Sequence, residues 1–167
     1  EITTAGLGTI VRGNYIGTDP AGAVDRGNTL DGILTSAGGI IIGGSGAGEG
    51  NLISGNAGDG IELTSLTATN NLVFGNIIGA NLAATAGLPN DDNGVLITTS
   101  SRNNIIGGVL TGEANVIAFN GIDGINVAAA AANTNNTFRG NSIFSNGTVS
   151  GELGIDLGAS GITANDS

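Results

Sequence analysis

Short apolar runs, each introduced by Asn or Asp, recur along the whole chain. The pattern is plainest between residues 50 and 79. Asn51-Leu-Ile, Asp59-Gly-Ile-Glu-Leu and Asn71-Leu-Val-Phe follow one another there, and Asn76-Ile-Ile begins the set again. Asn-x-Ile occurs at Asn14, Asn51, Asn76, Asn115 and Asn141, at spacings of 37, 25, 39 and 26. A turn of about 25 residues is thus the minimum, and alternate turns carry insertions.

Three phases line up within each turn. Phase one places Ile16, Ile53, Ile78, Ile117 and Ile143 two residues after the Asn. Phase two, written Asx-Gly-Ile in its fullest copies, gives Ile33, Ile61, Val95, Ile125 and Ile155, followed two residues on by Thr35, Leu63, Ile97, Val127 and Leu157. Phase three gives Val11, Ile42, Val73, Ile106 and Phe138. Alternation of period two within each run marks a short strand with one face inward. Equivalent residues recur once per turn rather than in mirror order, so hairpin pairing does not account for them. Parallel stacking of successive turns puts like on like. The expected fold is all-β: a single-stranded parallel β-helix, three short strands per turn, about five turns, roughly 24 Å long at roughly 4.8 Å per turn. Residues 1–167 read as one domain, either a segment of a longer solenoid or a stacking subunit, because neither end shows a capping helix.

Asn at the bends has a structural task. It accepts left-handed geometry, satisfies free backbone N–H groups and hydrogen-bonds to its copies along the axis. Two ladders are expected: Asn14, Asn51, Asn76, Asn115 and Asn141, and five residues later Asp19, Asn56, Asn81, Asn120 and Asn146. A partial third runs through Asn71, Asn104 and Asn136. Insertions at 17–29 and 80–91, and at 44–50 and 108–114, should leave the coil in pairs from common edges, where loops gather into binding surfaces.

Composition narrows the chemistry. The 32 glycines, together with many Asn, oppose long helices. Cys, His, Met, Trp and Lys are absent, which removes disulfides, thiolate metal sites and the commonest general base. A net charge of −10 argues against nucleic acid or an anionic membrane as partner, and no apolar run is long enough for membrane insertion.

The phrases GNYIGTDPAG, DGILTS, IIIGG, GEGNLISGN, DGIEL and GNSIF…LGIDLGASGITAND resemble the right-handed parallel β-helix repeat regions of large secreted or cell-surface bacterial proteins. The resemblance covers residues 8–166, with departures at Gly39-Ile40 and 128–132. It implies the handedness of the coil and an extracellular or cell-surface setting, and little about activity.

Parallel β-helices include polysaccharide lyases and hydrolases, so Asp31, Asp59 and Asp123, joined by Asn93, are weighed as a carboxylate row. Asx before Gly is equally a turn cap. Loop carboxylates Asp19, Asp25, Asp91 and Asp92, with Glu49 and Glu113 on the other edge, are candidate Ca²⁺ ligands, and no other cofactor is expected. Tyr15 is the one clear outward aromatic for stacking on a sugar. The expectation is a non-catalytic structural or interaction module, adhesin-like or self-associating through its terminal turns into a fibre. The rival is a polysaccharide-active enzyme or carbohydrate binder.

Overall fold

The computed structural model describes residues 1–3, 6–129, 132–147 and 153–158. Five turns of three strands follow in chain order. They are β1 (Ile10–Val11), β2 (Tyr15–Ile16), β3 (Ile33–Thr35); β4 (Ile41–Gly43), β5 (Leu52–Ile53), β6 (Ile61–Thr64); β7 (Leu72–Phe74), β8 (Ile77–Ile78), β9 (Val95–Thr98); β10 (Ile105–Ile106), β11 (Val116–Ala118), β12 (Ile125–Val127); and β13 (Thr137–Phe138), β14 (Ser142–Phe144), β15 (Ile155–Asp156). Every third strand pairs in parallel, giving three five-stranded sheets. The first sheet is β1-β4-β7-β10-β13, the second β2-β5-β8-β11-β14 and the third β3-β6-β9-β12-β15. No α-helix occurs among the described residues.

The register is the one that the Ile rows require. Val11, Ile42, Val73, Ile106 and Phe138 stack in the first sheet. Ile16, Ile53, Ile78, Ile117 and Ile143 stack in the second, and Ile33, Ile61, Val95, Ile125 and Ile155 in the third. The central members are fully buried and form one continuous core. Each buried Ile removes an apolar side chain from water, worth about 1.5–3 kcal/mol. The row beyond them in the third sheet ends early: Thr35, Leu63, Ile97 and Val127 are buried, but Leu157 lies outside β15 and is 65% exposed.

Corners between the first and second sheets are closed by amides. Asn14, Asn51, Asn76 and Asn115 each donate Nδ2–H to Oδ1 of the next Asn, at 3.1, 2.9, 3.0 and 2.9 Å, ending on Asn141. The same Oδ1 atoms accept the backbone N–H of the preceding Asn, and Nδ2 of Asn51, Asn76 and Asn115 also donates to a first-sheet carbonyl. Oδ1 thus accepts twice and Nδ2 donates twice, so these buried amides lie fully satisfied. Before four of the five Asn residues stands a glycine, at 13, 50, 75 and 140, with Ala114 the exception. At Gly75, with φ of 67°, a Cβ would press on the carbonyl oxygens of Gly44 and Gly112 in the turns on either side.

The second ladder departs from the sequence expectation at two positions. It runs Asn28, Asn56, Asn90, Asn120, Asn146, with Nδ2-to-Oδ1 distances of 2.8, 2.8, 2.9 and 2.9 Å. Asp19 and Asn81 are not members. Both sit at the head of an inserted hairpin, where Oδ1 of Asp19 accepts N–H of Ala23 and Val24, and Oδ1 of Asn81 accepts N–H of Thr85 and Ala86. The insertions stand between phase one and the ladder, so counting forward from phase one lands in the loop. Counting back three residues from Asp31, Asp59, Asn93 and Asp123 lands on Asn28, Asn56, Asn90 and Asn120.

The partial third ladder links Asn71, Asn104 and Asn136. At Gly39-Ile40 no amide is available. Backbone N–H of Ile40 donates to Asn71 Oδ1 instead, while Asn71 Nδ2 is buried with no partner among the described residues.

Replacing Asn90 with Ala should cost about 3 kcal/mol, because it strands buried donors and acceptors in two neighbouring turns. Asn81→Ala should cost less than about 1 kcal/mol. Urea denaturation of the two variants measures the difference directly.

Candidate functional site

Two surfaces gather chemistry, and the first is the corner leading into the third sheet. Here a further Asx ladder runs with opposite polarity. Asp31 Oδ1 accepts Asp59 N–H at 2.8 Å, and Asp59 Oδ1 accepts both Asn93 N–H at 2.8 Å and Asn93 Nδ2–H at 2.9 Å. Asn93 Oδ1 accepts Asp123 N–H at 3.2 Å, and Asp123 Oδ1 accepts Leu153 N–H at 2.6 Å. The carboxylates weighed as a catalytic row are therefore spent on caps, each holding the next turn's backbone.

One oxygen apiece of Asp31, Asp59 and Glu62 nevertheless converges, all within 4.8 Å of one another. Glu62 points outward from β6. Asp59 is 5% exposed, and burial pushes its carboxyl up to about 6 against the pull of its hydrogen bonds from Asn93, with Asp31 and Asp92 adding like-charge repulsion. Glu62 is raised for the same first reason, burial, and then by Asp31.

Asp19, Asp25, Asp91 and Asp92 do not form such a group among the described residues. Asp19 caps its own hairpin, and those N–H bonds hold its carboxyl below the usual range. Asp25 Oδ1 accepts Gly27 N–H at 2.7 Å. Asp91 and Asp92 are exposed on the same corner as Asp59, stacked on residues 56–58 of the preceding turn. Glu49 and Glu113 cap the loops 44–50 and 108–114 through Gly46 N–H and Leu110 N–H, and Glu49 also pairs with Arg12 at 2.9 Å.

The second surface is a groove of about 400 Å³ on the outer face of the second sheet. Its floor is Tyr15, Leu52 and Ile77; one side is Leu82, and the other is built from glycines of 44–50 with Gly112. Two hairpins make the Leu82 side. Thr18 bridges Asp25 and Ala80 bridges Gly87, both antiparallel, and Leu82 N–H donates to Gly22 O at 3.1 Å. The hairpins thereby touch across the intervening turn and cover Leu52, which is 1% exposed although it points outward. Gly22 is required there, because a Cβ would run into the Leu52 side chain. Tyr15 remains 42% exposed at one end. At the far end of the same sheet Phe119 and Phe144 pair edge to face, with centroids 5.5 Å apart. Among the described residues no carboxylate and no arginine lines the groove.

Sequence reasoning placed the carboxylate row, yet it did not bring Glu62 to Asp31 and Asp59 or Leu82 to Tyr15. Register was the available signal for the first: Glu62 follows Asp59 by three residues, one outward position along β6. For the second, the pairing of insertions 17–29 and 80–91 was the available signal, while the residues that meet between them leave no periodic trace.

Comparison with family models, with curated proteins and with solved structures gives no match.

A carboxyl with a raised folded pKa binds its proton more tightly in the folded chain. Its burial cost is therefore absent below pH 4, appears as pH rises, and is complete above about 6. Thermal stability should fall across that window, by on the order of 3 kcal/mol from Asp59 alone. Asp59→Asn, which copies position 93, should raise stability at neutral pH and flatten the profile. Melting temperature from pH 4 to 8 for both proteins measures it.

Proposed function

We propose that this chain is a non-catalytic β-solenoid module of an extracellular or cell-surface protein, a rigid spacer whose terminal rungs pair with further rungs. One observation carries the reading: the core rows stay open at their ends. Ile42, Ile53, Val73 and Ile78 are fully buried at the centre, whereas Val11, Ile16, Phe138 and Ile143 in the same rows are only partly covered. Beside them the outer edges of β1, β2, β13 and β14 are unpaired among the described strands. Apolar rows ending beside free N–H and C=O groups are a template for another strand. Further turns of a longer chain satisfy it as well as a second molecule does. The resemblance of the repeat phrases supports the extracellular setting. Commitment of Asp31, Asp59 and Asp123 to backbone caps supports a structural role over catalysis.

A second reading rests on the groove. Its exposed Tyr15 ring, apolar floor and glycine-rich wall, with the small residues Ser45 and Ala47, suit an uncharged glycan, which stacks on aromatics and hydrogen-bonds to exposed peptide groups. Binding without turnover is the form that this lining favours, since it offers no carboxylate pair to work on a glycosidic bond.

Scattering and sedimentation over a wide concentration range test the first reading. Particle length should grow in increments of roughly 24 Å, and Ile143→Asp should hold the particle at one unit. A strictly monomeric particle at every concentration would sink association between molecules. For the second reading, Tyr15→Ala should reduce retention on neutral polysaccharide at least tenfold, with unchanged folding. Release of product from acidic polysaccharides with added Ca²⁺ would instead favour an enzyme.

A further inference from the structure

Charge and apolar surface are sorted among the faces of the coil. The outer face of the first sheet presents Ile10, Ile41, Leu72 and Ile105 in direct register, one per turn. Ile10 is 55% exposed, and the other three are half-buried by one another. Phe74 stands beside Leu72 on the same face. Three of the four arginines, Arg12, Arg102 and Arg139, lie on this sheet or the corners that bound it, against two acids, Glu49 and Glu113. Those two acids cap their own loops, and Arg102 and Arg139 have no ion pair among the described residues.

The rest of the described chain carries ten acids and one arginine. Face one is therefore +1 and the remainder −9. The negative charge is densest at the corner and outer face of the third sheet, at Asp31, Asp59, Glu62, Asp91 and Asp92, with no arginine paired there.

We propose that the outer face of the first sheet docks side to side against the acidic third face of a second copy of this chain. Charge complementarity favours that occupant. Pairing two first sheets about a twofold axis would bury the apolar rows but set arginines against arginines. Rise favours it too: every face of the coil repeats at the same roughly 4.8 Å, so the row Ile10, Ile41, Leu72, Ile105 meshes with Leu34, Glu62, Leu96, Asn126 over successive turns. The contact is heterologous and does not close on itself, so it builds lateral arrays rather than dimers. A face roughly 24 Å by 20 Å buries about 1,000 Å² in total, the low end for specific association, and a weak, salt-sensitive interaction follows. The inference does not rest on the end-to-end reading, because it uses the middle turns.

Sedimentation equilibrium of the whole chain at about 0.05 M and about 0.5 M salt tests it. Self-association should weaken at least tenfold at the higher salt. Arg102→Glu with Arg139→Glu should weaken it as much at low salt, and so should Asp91→Asn with Asp92→Asn on the opposing face. Leu72→Asp should abolish it, with the β spectrum of each variant unchanged. A monomer under all conditions overturns the proposal. So does association indifferent to salt and to these variants, which would locate the contact at the ends. A monomer that instead binds immobilised heparin overturns it in favour of a foreign anionic partner.

Discussion

Each bend of this coil depends on a side-chain amide that replaces the hydrogen bonds the backbone loses on leaving a strand. A parallel coil has three corners per turn, and each corner turns N–H and C=O groups away from any ladder. Buried without partners they would cost about 1–3 kcal/mol each. Asn meets this with two donors and two acceptor sites on a short stem, and a copy one turn away supplies the complement. The same Oδ1 that receives Nδ2–H of its neighbour also receives that neighbour's backbone N–H, as at Asn76 and Asn115. Strands of two to four residues suffice because the corners carry register as firmly as the strands do.

That constraint explains where the coil tolerates change. An insertion is harmless only if the ladder residue on its far side returns to the axis. Both hairpins obey this: the chain leaves after Ile16 and Ile78 and re-enters at Asn28 and Asn90. What leaves is free to vary, and the two hairpins use the freedom to lean together over Leu52. The third-sheet corner shows the opposite compromise. Asp caps it at positions 31, 59 and 123 where Asn serves at 93, and burial of a carboxyl there, with a smaller push from Asp31 and Asp92, raises Asp59 to about 6. A carboxylate kept where an amide would hold the turn leaves that face strongly acidic. This gives the coil its sidedness.

Most of the strand register was legible, because Ile and Val recur at fixed offsets from Asn and each offset has a single inward solution. The ladder through Asn14 and Asn141 was legible for the same reason. Asn81 and Asp19 misled because they stand at the right distance from phase one, while the insertion shifts the true corner to Asn90 and Asn28. Glu62 is visible as an outward strand residue, but its approach to Asp31 crosses between turns. The groove was legible only as far as its paired insertions, 17–29 with 80–91 and 44–50 with 108–114, which leave the coil from common edges. Its lining was not, because one wall is mostly glycine, which carries no side-chain pattern, and Leu82 comes beside Tyr15 through the contact of the two hairpins, Leu82 N–H on Gly22 O.

Hydrogen exchange read residue by residue, at backbone and side-chain amides alike, tests most directly whether the corners hold the coil. Protons on Asn51, Asn76 and Asn115, and on Asn56, Asn90 and Asn120, should exchange as slowly as the strand amides of Ile53, Ile78 and Ile117, by global opening alone. Corner amides that exchange orders of magnitude faster than the strands they join would contradict it.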